Sequence, residues 1–461
     1  MPITMMTTSQ PKALTRHRVA FITGEIYVLR LVTLGASLVS NVFLARLLGA
    51  TGKGMVTATL FWPSLLGSLL IGGFCTGVIA ETGKVPGRFR PLARGLSWFI
   101  LAATFAGAGG LQLVAVFRGS ILRDPALLWC ASSLLLTNLV VNLFGSLYTG
   151  LGRLAFINRV TTAGTVLFAG AMVALSLGHL ASVGHTLFMV AAIQSGVALF
   201  FAFHSVRQTG TLTEEPVVWR PLVTFSLKAH GTHLGNLLFS NAVMILLTLL
   251  ASPATLGIYS IALICTDLAT ALPVTWAGLL LPVISRLPRD EAAQRMAQAT
   301  RLANFAGVIL IGAMAVAATF LIPIVFGPSF AGAVPIVWML TLSAWAFSTT
   351  SLITCFYHGI NRMAPPIAGA WLGVLLAAGL GTALIGPMGG LGAALAVSVS
   401  RVGVMVFLLV SFRRDTGLGA WRLLQVTRQD LTDGWMIFRQ LWSRPGAVAA
   451  GDPPVLSGGL S

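Results

Sequence analysis

Charge is scarce in this chain: only 9% of its 461 residues are Asp, Glu, Lys or Arg, where a soluble globular domain carries about a quarter. That shortage excludes an ordinary soluble fold. With 56% hydrophobic residues and a mean hydropathy of +0.88, the composition is that of a polytopic membrane protein. Acid is scarcer than base, 12 residues against 29, but the basic excess is dispersed between apolar runs of about 20 residues, where anionic lipid is a sufficient partner. A nucleic-acid partner is not supported. The four cysteines, Cys75, Cys130, Cys265 and Cys355, fall inside apolar runs at no metal-ligand spacing and read as small core hydrophobes. A Gly-x-x-x-x-Gly-Lys-Ser/Thr phosphate loop is missing, as is any outer loop longer than about a dozen residues. Membrane enzymes such as a polysaccharide polymerase or ligase are thereby disfavoured, and no cofactor or metal is expected. No cleavable signal peptide is apparent, because residues 1–18 are polar and the apolar run after them is too long for one.

What is present is a series of apolar windows punctuated by Gly, Pro and charge. They predict an all-α protein of twelve transmembrane helices at about 19–47, 55–80, 95–117, 126–151, 157–179, 184–206, 224–250, 256–284, 302–326, 333–359, 365–386 and 390–412. Alternate connections then carry 23 basic residues on one side and 4 on the other (Arg46, Lys53, Arg118 and Arg123), while Arg30 and Arg401 lie inside spans. The positive-inside rule puts both termini in the cytoplasm.

The phrase LYTGLGR (147–153) returns as FYHGINR (356–362), GATGKGMVTA (49–58) as SPATLGIYSIA (252–262), and VRQTG (206–210) as RRDTG (413–417). Offsets of 203, 209 and 207 in the same order imply a duplicated six-helix unit. Six is even, so the two lobes, 19–210 and 211–417, run parallel about an axis along the membrane normal, an arrangement associated with alternating access to a central site. Outside them lie an N-terminal tail (1–18), an amphipathic interfacial helix (418–444) with Trp421, Leu424, Leu431, Trp435, Phe438 and Trp442 on one face, and an aperiodic disordered tail (445–461).

Ordered motifs carry a family resemblance over about residues 20–415. LARLLGATGKGMVTA, ending the first helix, resembles the Ala-Arg-x-Leu-Gly-Pro-x-Gly-x-Gly hallmark of polysaccharide-biosynthesis flippases in the multidrug/oligosaccharidyl-lipid/polysaccharide exporter superfamily. GIYSIALICTDLATALPVTWAGLLLPVISRL looks like that family's eighth helix, and FLIPIVFGPSFAGAVPIVWML with FYHGINRMAPPI resembles its ninth-to-eleventh-helix region. Ala50 departs from the family, which often has Pro there, and twelve helices rather than fourteen fit the peptidoglycan-precursor branch less well. The resemblance implies a two-lobed, V-shaped transporter in the bacterial inner membrane. It would move polyprenyl-pyrophosphate-linked oligosaccharide to the outer leaflet, with membrane lipids around it and polysaccharide polymerase or export proteins as partners.

A pyrophosphate crossing about 30 Å of hydrocarbon calls for fixed cations, and arginine offers a planar fork of donors. Arg30, near mid-membrane in helix 1, is the first candidate, with Ser37 and Asn41 on its stripe; the alternative is a helix-pinning salt bridge, to Asp267 for instance. The repeat pairs Arg30 with His233 and Ser37 with Ser240. Arg401, central in helix 12, has the same two readings. Asp267, mid-way along helix 8, is either an ion-coupling carboxylate or an arginine's partner. Glu25 reads as solvated or paired near the interface. Asn138, Asn142 and Thr149 share a side of helix 4, and Thr350, Thr354 and His358 a side of helix 10; these polar faces line a sugar cavity or bond neighbouring helices. His230 reads as an interface histidine or a proton relay. GFCTG (73–77) and GAWLG (369–373) are small-residue packing patterns. A cation-coupled multidrug antiporter of the same superfamily is the competing transporter, although two central arginines against one acid favour an anionic substrate. A non-transporting scaffold for glycan assembly is the competing reading from another class.

Overall fold

A computed structural model describes residues 16–116, 121–207, 215–419 and 423, and it is helical throughout its long elements. Ten continuous helices are long and apolar enough to cross a membrane among the described residues. Two of them are hairpins. The element Arg16–Lys84 breaks at Gly49, whose φ of 65° and ψ of −175° lie outside helical space, and Ala364–Thr416 breaks at Gly389, with φ 55° and ψ −126°. Both turns use the left-handed region that glycine enters without a Cβ penalty. Reversal is plain from the contacts. Lys53 donates to Asn41 Oδ1 at 2.6 Å, although twelve residues of straight helix would separate the two by about 18 Å. In the second hairpin, Gly369 faces Val404, Phe407 and Leu408.

Twelve spans result: α1 (16–48), α2 (50–84), α3 (Phe89–Val116), α4 (Pro125–Gly150), α5 (Leu154–Leu177), α6 (Val183–Arg207), α7 (Trp219–Leu250), α8 (Pro253–Ile284), α9 (Arg289–Val325), α10 (Ala333–Gly359), α11 (364–388) and α12 (390–416). The largest departure from the sequence expectation is α9, which begins at Arg289 rather than near 302. Its first turn carries Asp290 and Glu291, which suit a helix N-terminus, and Ala292, Ala293, Met296 and Ala297 are buried in the second lobe. Hydropathy does not register a helix whose buried face is alanine and whose other face is charged. The expected interfacial helix and disordered tail lie outside the described residues, apart from 418, 419 and Leu423; Leu423 is buried, and its carbonyl accepts from Asn304 at 3.4 Å.

The repeated phrase has a structural meaning. In LYTGLGR, Arg153 N donates to Tyr148 O and Gly152 N to Thr149 O; in FYHGINR, Arg362 N donates to Tyr357 O and Asn361 N to His358 O. Both are Schellman-type helix ends with a left-handed residue, Gly152 (φ 72°) or Asn361 (φ 55°). The tyrosines are fully buried and latch the last helix of their lobe. Tyr148 bonds His204 Nδ1 on α6 at 2.8 Å, and Tyr357 donates to Asp415 Oδ2 on α12 at 2.9 Å. Arg362 pairs with the same carboxylate.

The lobes α1–α6 and α7–α12 meet at the sparsely charged end through a reciprocal contact. A methyl on Gly54 would overlap the Pro253 carbonyl, and one on Gly257 the Ala50 carbonyl; each virtual Cβ lies 3.0 Å from the other glycine's nitrogen. Residues 50 and 54 map onto 253 and 257 at one offset, so the contact is self-complementary in the manner of a two-fold interface. Beside it, Arg46 of α1 donates to the carbonyls of Val325 (2.7 Å) and Ile324 (2.5 Å), capping the carboxyl end of α9 across the lobe boundary. Towards the basic end the lobes also touch along α2 and α7, where Gly73 and Gly77 admit Ser226, His230 and Leu222.

Candidate functional site

The second lobe holds two adjoining recesses with about 530 and 630 Å³ of empty space, and Phe239, Ser240 and Arg401 border both. Helix α12 buries small residues (Ala393, Ala394, Ala396, Ser398 and Ser400), and Arg401, next to Ser400, borders both recesses. Its guanidinium carbon lies 4.6 Å from the Phe347 ring centroid. A cation over an aromatic face is stabilised by the ring quadrupole and keeps its edge donors free. Among the described residues Arg401 has no ion pair within 4 Å, so its donors are open to a ligand.

Asp267 lines the first recess from α8, with Thr266 and Tyr259 on the same helix. The Thr266 and Thr270 hydroxyls turn back to carbonyls one turn earlier, so they leave the carboxylate unbonded. Asp267 is exposed to the recess that Arg401 also borders, and no ion pair joins the two. The Ser343 hydroxyl, from α10, is buried in the same wall without a hydrogen-bond partner among the described residues. The second recess is walled by Asn236 of α7 and by Thr350, Ser351 and Thr354 of α10. Thr350 and Ser351 donate to Phe347 O at 3.0 and 2.8 Å, which leaves their lone pairs towards the recess. One fixed cation, one fixed anion and a bank of hydroxyls inside an apolar bundle form a site for a polar, charged headgroup.

Of the sequence candidates, the structure thus brings Arg401, Asp267, Thr350 and Thr354 together, with Ser240 as the repeat mate of Ser37. Others stand elsewhere. Arg30 is exposed on α1, with no described acid in ion-pairing distance, and does not border the recesses. Below it Glu25 pairs with Arg159 of α5, and above it Thr33 bonds Thr162 at 2.8 Å, so this part of α1 is fixed to its own lobe. Ser37 accepts from Asn41 Nδ2 through its carbonyl at 2.8 Å. Asn142 donates to Asn138 Oδ1 at 3.0 Å on α4, beside Gly67 and Cys75 of α2. His233 is wedged against Gly72 at the α2–α7 contact with its buried Nε2 unpartnered among the described residues, and His230 accepts from the Gly73 amide at 3.3 Å.

The sequence puts Lys53 in a solvent connection; the structure corrects this. Because the turn falls on Gly49, Lys53 is already in the first turn of α2, only 6% exposed, with its ammonium on Asn41. It joins Asn41 as a buried cation at the sparsely charged end.

A family profile described as polysaccharide biosynthesis protein matches residues 43–335. No curated protein sequence matches. Among solved structures, the fold is similar to "Lipid II flippase MurJ, inward closed conformation" with a TM-score of 0.69 at 14% identity, over 92% of this chain and 96% of that one. It is similar to an inward-facing multidrug resistance MATE family transporter of the MOP superfamily with a TM-score of 0.62 at 12% identity, over 84% and 94%. A third likeness is the MATE multidrug transporter DinF-BH, with a TM-score of 0.59 at 14% identity, over 90% and 99%. At these identities the likeness is one of fold.

Proposed function

Because the chain belongs to the polysaccharide biosynthesis protein family, we propose that it is a flippase carrying polyprenyl-pyrophosphate-linked oligosaccharide from the cytoplasmic to the outer leaflet of a bacterial inner membrane. The observation that carries this reading is Arg401, a guanidinium with open donors between two hydroxyl-lined recesses. Its fork suits phosphate oxygens, and the Thr350, Ser351, Thr354 and Asn236 side chains suit sugar and phosphate oxygens beside it. The lipid tail stays in the bilayer. Fold likeness to a lipid II flippase supports a lipid-linked cargo.

The two lobes, 19–210 and 211–417, exchange access by rocking about the Gly54–Gly257 contact, with Arg30, Ser37, Asn41, His233, Asn138 and Asn142 supplying further polar contacts along the path. The basic residues gathered on one side support an orientation with both termini in the cytoplasm. A multidrug antiporter is favoured by one feature only, the carboxylate of Asp267 in the recess, and two MATE folds stand beside it.

The test is complementation of cells lacking the protein with wild type or Arg401→Ala, reading surface polysaccharide and the leaflet in which lipid-linked oligosaccharide collects. Flipping predicts loss of export and cytoplasmic-side accumulation for a variant present at normal level. Unchanged export in the deletion strain contradicts it.

A further inference from the structure

The first recess is lined by one acid and one base. Asp267 comes from α8 and Arg401 from α12; Tyr259 of α8 is the other titratable group there, and the lining from α7, α10 and α11 carries none. The pair is not duplicated: at the repeat offsets, position 267 maps to Ser64 and position 401 to Gln194. Nor is it locked. Arg401 stacks on Phe347, its donors border both recesses, and no ion pair within 4 Å joins it to Asp267. Both nonetheless line the same recess.

An anion entering the second recess meets Arg401 with Asn236, Thr350, Ser351 and Thr354 around it, in a lining that does not include Asp267. Arg401 then neutralises the newcomer, and Asp267 loses the charge that balanced it. An unbalanced carboxylate inside an apolar bundle is costly, and the cheapest remedy is to take up a cation.

We propose that the substrate's pyrophosphate and Asp267 share Arg401 as a single counter-ion, so that loading the substrate loads Asp267 with one monovalent cation, a proton or Na⁺. This rests on the anionic-substrate reading above. The linked cation lowers by one the negative charge carried across with the headgroup, and it leaves when the pyrophosphate leaves and Arg401 is returned to Asp267.

The test is calorimetric titration of the purified full-length protein with farnesyl pyrophosphate. One arm uses buffers of different ionisation enthalpy to count protons; the other varies Na⁺ at constant ionic strength. Wild type is expected to take up close to one cation per ligand, seen as buffer-dependent heat or as a slope near one against log Na⁺. Asp267→Asn is expected to bind about tenfold more tightly, because a like charge has been removed from beside the ligand, and to lose the linkage. Subtracting its titration removes the ligand's own protonation, and Asp267→Glu keeps the linkage. Wild-type binding with no linked proton or Na⁺, or linkage that survives in Asp267→Asn, overturns the shared counter-ion alone. No binding by wild type overturns it together with the anionic-substrate reading.

Discussion

Gly54 of α2 and Gly257 of α8 lie against each other so that each leaves room only for the backbone opposite, the Pro253 carbonyl for one and the Ala50 carbonyl for the other. The two halves of the chain thus touch through equivalent residues, and the pseudo-two-fold axis passes between them. Any rocking of the lobes must open or pivot this contact.

Adding a methyl there should shift the lobes. Gly54→Ala or Gly257→Ala inserts a carbon where overpacking costs about 1–3 kcal/mol, so the closed arrangement at this end should lose about tenfold in population. Spin labels placed on α2 and α8 at the sparsely charged end would report a longer distance population in either variant. An unchanged distribution would mean that the contact does not hold the ends together.

Arg46 should act in the same direction by a different force. Arg46→Gln removes the guanidinium that bonds the Ile324 and Val325 carbonyls at the carboxyl end of α9. About 1–2 kcal/mol is at stake for charge-assisted bonds at a helix terminus. The same distance measurement should show a smaller opening than the glycine variants, with Arg46→Lys intermediate.

Buried Lys53 separates breaking a polar pair from replacing it. Asn41→Leu strands the ammonium without its acceptor and should lower stability by about 3 kcal/mol, whereas the double variant Asn41→Leu/Lys53→Met removes donor and acceptor together and should be near neutral. Thermal unfolding of the detergent-solubilised proteins ranks them. Equal losses would show that Asn41 is not the partner that matters.

The repeated tyrosines should both stabilise their lobes. Tyr148→Phe deletes one buried hydrogen bond to His204 at about 1 kcal/mol, and Tyr357→Phe one to the Asp415 carboxylate at about 1.5–3 kcal/mol. Asp415→Ala should cost more than Tyr357→Phe, because it also releases Arg362. Unfolding midpoints in the same detergent check the order.

The spans were legible in the sequence because lipid demands unbroken apolar runs, and even the hairpins left a trace at Gly49 and Gly389. Duplication was legible for the same reason that it is visible in the structure: Tyr148 and Tyr357 close the same turn. The start of α9 was not, since its buried face is alanine among charges. Site residues were harder. Arg30 stood out by depth, but depth does not say which neighbour a side chain faces, and α1 spends that stretch on α5. Arg401, Asp267 and Thr350 converge because α8, α10 and α12 are adjacent, a fact absent from any one-dimensional pattern. Lys53 was hidden because the second helix starts at 50, five residues before the expected 55.

The most direct measurement is translocation by the purified protein in sealed vesicles, following a fluorescent pyrophosphate-linked oligosaccharide on a polyprenyl carrier from one leaflet to the other. Wild type should move it, Arg401→Lys should move it more slowly, and Arg401→Gln should fall at least tenfold, a loss of about 1.4 kcal/mol or more of headgroup stabilisation. Wild-type rates in Arg401→Gln, or vesicles of wild type no faster than protein-free ones, would contradict a flippase built around Arg401.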